Sequence, residues 1–162
     1  MVAESKTTIN ISQALKLKKR LANQLSKLDS RICEFNSYAS EAPDYDVKKL
    51  YAMRMVMAER LVELKVAISE ANRPIQKSIF EVAECKALIG TLANLDTKHG
   101  PQAEGYSGAI QNYVAQFGKR DVDREVRKIE REIDRIQEEL DQFNFKTKIE
   151  INEAISEIPE LE

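Results

Sequence analysis

From Val122 to Phe143, apolar side chains return at an unbroken alternation of four and three residues: Val122, Val126, Ile129, Ile133, Ile136, Leu140 and Phe143. That spacing commits the segment to a long helix with one apolar seam, and such a seam must be buried against another element. Around it, Lys128/Glu132 and Arg135/Glu139 sit one turn apart with opposite signs. Each pair is worth roughly 0.2–0.5 kcal/mol, so they decorate the helix rather than hold it. The partners of this helix have to be found elsewhere in the chain.

Three further helical segments are predicted. The first runs from about Ser12, taken as its N-cap, to Tyr38, with Leu21, Leu25, Leu28, Ile32 and Phe35 on one seam. "SYASEAPDYD" ends it, and Asp44 or Asp46 caps the second segment, about Asp46 to Asn72, with Val47, Leu50, Met57, Leu61, Leu64 and Ile68 in line. A connection this short implies an antiparallel hairpin with arms of roughly 40 Å. Pro74 interrupts and biases Arg73 toward an extended conformation. Ser78 and Glu81 then read as a capping box opening a third segment, about Ser78 to Thr97.

Between Lys98 and Lys119 the register dissolves, and four of the five glycines fall there, at 100, 105, 108 and 118. The segment reads as a glycine-rich joint, of which "SGAIQNYVAQFG" could form a short helix. After the last long helix, Asn144 is taken to turn the chain. "KTKIEI" then alternates like a strand, with Ile149 and Ile151 on one face and Lys148 and Glu150 on the other.

The two halves follow a common plan. "INIS" precedes the first segment as "IQKS" precedes the third, and "RLANQLSKLD" ends as "ALIGTLANLD" does. "SEANRPIQ" follows the second segment as "DQFNFKTKIEI" follows the fourth. The expected fold is therefore all-α in the main: two antiparallel helical hairpins packed as an elongated bundle. Short extended pieces near Ile9, Ile75 and Ile149 gather at one end as a small capping sheet. One helical domain is expected over 1–151, with hairpins at 9–72 and 73–151, followed by an acidic tail over 152–162.

These features resemble the septicolysin-like family of small bacterial and phage-associated helical proteins. The residues that carry the likeness are "ISQALKLKKRL", "ISEANRPI", "CKALIGTLANL", "AIQNYV" and "VDREVRKIEREIDRIQEELDQFNFKT", covering about residues 9–151. "NRPIQKS" departs from the glycine-containing turn expected at that point. The resemblance implies a fold; it implies no chemistry.

Function has to be read from what the residues exclude. His99, in "TKHGP", is the single histidine and has no partners at catalytic or metal-ligand spacing; no E-x-x-H pattern exists for a di-metal helical site. "GKR" at 118–120 lacks both the upstream glycine and the hydroxyl residue of a phosphate loop. No enzyme activity, cofactor or metal is expected. The net charge of −2 argues against a nucleic-acid partner, and "KLKKR" at 16–20 is too short, and too poor in aromatics, to make a stacking surface. Cys33 and Cys85 read as two buried small hydrophobes in a reduced compartment. With no signal-peptide pattern in "MVAESKTTIN" and no apolar run of about 20 residues, neither a membrane span nor secretion is expected. A cytoplasmic protein is.

The remaining anomaly lies in "LYAMRMVMAERLVEL". It carries apolar residues at 50, 51, 53, 55–58, 61, 62 and 64, too many for a single stripe. Such breadth predicts burial on two sides, either under the second hairpin or against another copy, and packing against another copy is the favoured explanation. Arg54 falls on the seam, where it would snorkel, pair with a carboxylate from another helix or set the register of an oligomer.

The expected function is a non-enzymatic interaction or assembly protein. It would act as a homo-oligomer, most simply a dimer, with a further protein partner such as a host factor met by a phage or mobile-element product. The alternative is a small-ligand or nucleotide binder using Arg54, Arg73 and the joint aromatics Tyr106, Tyr113 and Phe117.

Overall fold

The structure, a computed structural model, describes residues 5–39, 43, 45–104 and 108–156. It is mainly helical, with two small antiparallel sheets. The chain divides into two compact units, Met1–Pro74 with Asp141–Glu162, and Ile75–Leu140.

In the first unit, strand β1 (Lys6–Asn10) passes without a loop into helix α1 (Ile11–Phe35). The joint is a reciprocal cap. Asn10 Oδ1 accepts from the Gln13 backbone N–H at 2.8 Å, and the Asn10 N–H donates to Gln13 Oε1 at 2.9 Å. The helix is therefore capped two residues before the cap expected at Ser12, because an Asn-x-x-Gln box satisfies two N-terminal groups where Ser12 would satisfy one. Asn10→Ala is expected to cost about 1 kcal/mol in a urea titration, whereas Ser12→Ala should cost no more than a few tenths.

Helix α2 (Val47–Ala71) starts at Asp46, whose carboxylate accepts from the backbone N–H groups of Lys48 and Lys49 at 3.0 and 3.3 Å. The other cap considered, Asp44, lies outside the described residues. Ahead of α2, the Tyr45 ring lies 4.9 Å from that of Phe35, and the Arg31 guanidinium sits 4.9 Å above it. These contacts tie the connection back onto the helices.

The core of this unit joins Ile11, Ala14, Leu17, Leu21, Leu25 and Leu28 of α1 to Leu50, Met57, Leu61, Leu64 and Ile68 of α2. Those positions repeat every three or four residues, so both seams meet along their length as an antiparallel hairpin.

The N-terminal strand finds its partner at the other end of the chain. β4 (Lys148–Asn152) pairs antiparallel with β1, Ile9 opposite Ile149 and Thr7 opposite Ile151. The ladder continues past both ends through Ile11 N–H to Thr147 O (3.1 Å) and Glu153 N–H to Ser5 O (2.8 Å). Ile149 and Ile151 are buried in the hairpin core, while Lys148 and Glu150 face outward, as the alternation predicts. Asn152 Oδ1 accepts from the Ala154 N–H and opens a short helix, α5 (Glu153–Ser156). Its Ile155 is buried in the same core, so the expected acidic tail begins as part of the fold. Residues 157–162 of that tail lie outside the described residues.

The second unit holds helix α3 (Gln76–Ala93), a β-hairpin of β2 (Gly100–Glu104) with β3 (Ala109–Tyr113), and most of helix α4 (Lys119–Lys146). Val82 of α3 packs with Ile136 and Leu140 of α4, flanked by Ile75, Ile79 and Ile133. Early α3 thus meets late α4.

Four expectations need correction here. The glycine-rich joint is a hairpin, not a loop or short helix: Gly100 and Gly108 take φ of +81° and +63°, values that L side chains adopt only with strain. Ser78 is not a cap, since α3 begins two residues earlier from Ile75 with no side-chain cap. Residues Arg73–Ile75 form a 3-10 turn, and Ile75 packs beside Val82 rather than joining an extended cluster with Ile9 and Ile149. Finally, Asn144 does not turn the chain. Helix α4 continues to Lys146, and a single residue, Thr147, separates it from β4.

Candidate interaction face

Helix α2 presents two apolar stripes. The first, Leu50, Met57, Leu61, Leu64 and Ile68, is sealed against α1 and β4. The second, Tyr51, Met55, Ala58, Val62 and Val66, lies about 130° further round the axis at 100° per residue. Among the described residues, four of its five side chains stay largely in solvent: Tyr51 is 57%, Met55 43%, Val62 58% and Val66 51% exposed, while Ala58 packs partly against the core. Isolated exposed apolar residues are ordinary, but four in one line with Ala58 between them, spanning about 22 Å, make a continuous surface. Its edges are charged. Arg54 and Lys65 flank one side; Glu59, Glu63 and Glu70 flank the other.

Arg54 sits on the edge between the two stripes. Its Nε–H donates to Asp29 Oδ1 of α1 at 2.9 Å, so the carboxylate from another helix is present within the fold. That hydrogen bond, then the charge of Asp29, shifts the guanidinium further toward its charged form. Beside the pair, Ala22, Leu25, Ser26, Ser30 and Cys33 of α1 line a shallow trough against Leu61.

The other expected site residues each lie within their own unit. Arg73 is exposed in the 3-10 turn, at the far end of α2. In the second unit, Tyr113 ends β3, donates its hydroxyl to Gln111 Oε1 at 3.3 Å, and has the Lys98 ammonium 5.3 Å above its ring. Phe117 is 39% exposed in the bend before α4. Tyr106 lies outside the described residues.

His99 is exposed just ahead of β2, and its carbonyl lies 3.5 Å from Gln102 Nε2. Among the described residues, no group of three or more His, Cys, Asp or Glu could hold a metal ion, and no helix is long and apolar enough to cross a membrane.

A second uncovered apolar surface lies on α3, where the sequence reading placed no site. Only Val82 of this helix is buried, and Phe80 and Leu88 are 60% and 48% exposed. Gln76, Lys77, Phe80, Glu81, Glu84 and Cys85 border a shallow depression, all of them from this one helix. The signal is present in "SIFEVAECKALIGTL", which is apolar all round rather than striped.

The charges of α4 make no site. Arg135 bridges Glu132 and Glu139 at 2.6 Å each, and Lys119 meets Asp123 at 2.8 Å. The Arg135 hydrogen bond holds the Glu132 carboxyl below its ordinary range. All of these groups are solvated, and such ladders contribute little.

No protein-family model matches the chain, and no match was found among curated proteins or solved structures.

Proposed function

We propose that this chain is a non-enzymatic helical interaction protein, of the septicolysin-like kind its polar joints resemble, that works as a homo-oligomer, most simply a dimer. One observation carries the reading: α2 buries a complete apolar stripe inside its own unit and holds a second one uncovered. Apolar surface of that continuity is stabilised by removal from water at roughly 25 cal/mol per Å². A second copy supplies a matching surface wherever the first is present.

The ligand-binding alternative would need convergent polar groups lining a closed pocket. Arg54 lies on an open surface rather than in a closed pocket, and Arg73 lies about 28 Å along the axis of α2 from it. Assembly is therefore the favoured reading.

Light scattering across a concentration series tests it. The mass is expected to rise above the 18.5 kDa of one chain and to return toward it on dilution. A mass that stays at 18.5 kDa into the high micromolar range contradicts the proposal.

A further inference from the structure

Resting on that reading, we infer that the second stripe of α2 is a parallel, in-register seam between two copies of the chain, with Arg54 of each copy reaching Glu59 of the other. The observation is the polarity of the edges. Relative to the line Tyr51–Met55–Ala58–Val62–Val66, Arg54 and Lys65 fall on one side, while Glu59, Glu63 and Glu70 fall on the other. Lys48, at the N-terminal end, is the exception and projects beyond the last apolar layer.

When two helices pair in parallel and in register, each edge residue meets a partner residue about five positions further on, across the opposite edge. Arg54 then faces Glu59 of the second copy, and Lys65 faces Glu70. The two-fold axis repeats both pairs. Reversing the second helix sets basic edge on basic edge and acidic on acidic. Glu59 would then lie against its own copy near the middle of the stripe, and Arg54 beside Lys65. Like charges in those positions oppose association, so the edges select the parallel pair.

The Arg54–Asp29 bond does not compete with this. It engages the Nε–H, and the guanidinium carries four further N–H donors on its two Nη atoms. Asp29 holds the side chain on the seam edge, which lowers the entropy lost when the second contact forms. Along the middle of the seam, Met55, Ala58 and Val62 meet their own copies. Ala58 is the small layer that lets the two backbones approach.

Cysteine pairing in the full chain, with Cys33 and Cys85 changed to Ser, tests the geometry. In a parallel seam Val62 lies opposite Val62, so Val62→Cys alone is expected to oxidise to a covalent dimer, and Met55→Cys alone likewise. Glu63→Cys, equally exposed but off the seam, should stay largely monomeric on the same gel. In the reversed arrangement Met55 faces Val62. Neither single variant would then link, and only the Met55→Cys/Val62→Cys double variant would. That pattern overturns the parallel seam. A dimeric mass in which the introduced thiols stay free in both single variants and in the double variant also overturns it, while leaving assembly through another surface standing. A monomer with free thiols overturns both. Glu59→Gln gives an independent sign: the parallel seam loses an ion pair and dissociates severalfold more readily, whereas the reversed one would tighten.

Discussion

Leu64→Ala is expected to lower the stability of the hairpin unit by roughly 2–5 kcal/mol, read as an earlier urea transition with an unchanged slope. Leu64 is fully buried, in the middle of the α1–α2 core with Leu21, Leu28 and Met57. Removing its branched end subtracts transfer free energy. It also leaves a hole between two helices whose remaining contacts resist collapse. Two residues away on the same helix, Val62→Ala should change the monomer by no more than about 0.5 kcal/mol, because Val62 is 58% exposed. The contrast between these neighbours separates the face that builds the fold from the face left over for assembly.

Ile151→Asp is expected to be worse than any core truncation and to abolish the folded hairpin unit near neutral pH. Its side chain is 4% exposed and packs in the core with Ile149 and Ile155. Among the described residues no buried cation is present to meet a carboxylate there, and an unpaired buried charge costs several kcal/mol. The consequence reaches the other terminus, since β1 exists only as the partner of β4 and a two-stranded sheet needs an apolar face to persist. Loss of β1 would in turn remove the Asn10 cap from α1. Glu150→Ala, on the outward face one residue away, removes only a solvated 3.8 Å pair with Lys6 and should fold normally. Circular dichroism of the two variants gives the comparison directly.

Much of this architecture is legible in the sequence, for a physical reason in each case. The α1 and α2 seams can be read because local periodicity reports which face is buried, and Leu21, Leu25, Leu28, Leu61, Leu64 and Ile68 are all in the core. The inward faces of Ile149 and Ile151 follow from the two-residue period of a strand. The pairing of β4 with β1 alone is less accessible: Ile75 sits in a similar sequence context to Ile9, but Pro74 removes an N–H donor and the chain takes a 3-10 turn.

The hairpin over 100–113 escapes a sequence reading because glycines mark both helix ends and tight turns. The antiparallel pairing of Gly100–Glu104 with Ala109–Tyr113 distinguishes them. The start of α1 is easily misplaced because Ser12 is a good cap by type, whereas the Asn10–Gln13 box depends on two side chains at once. The breadth of α2 is the most informative signal. It shows that one helix carries more apolar surface than one partner can cover, though not how far the second stripe extends; Val66 lies beyond the densest apolar run.

The central claim is that α2 is two-faced and that its outer face joins two copies. Light scattering of three proteins at matched concentrations tests it most directly: the unaltered chain, Met55→Asp and Phe80→Asp. A concentration-dependent mass above 18.5 kDa is expected for the unaltered chain and for Phe80→Asp, and a return to 18.5 kDa for Met55→Asp with its helix content intact. A monomeric unaltered chain, or a Met55→Asp variant that keeps its assembled mass, would contradict it.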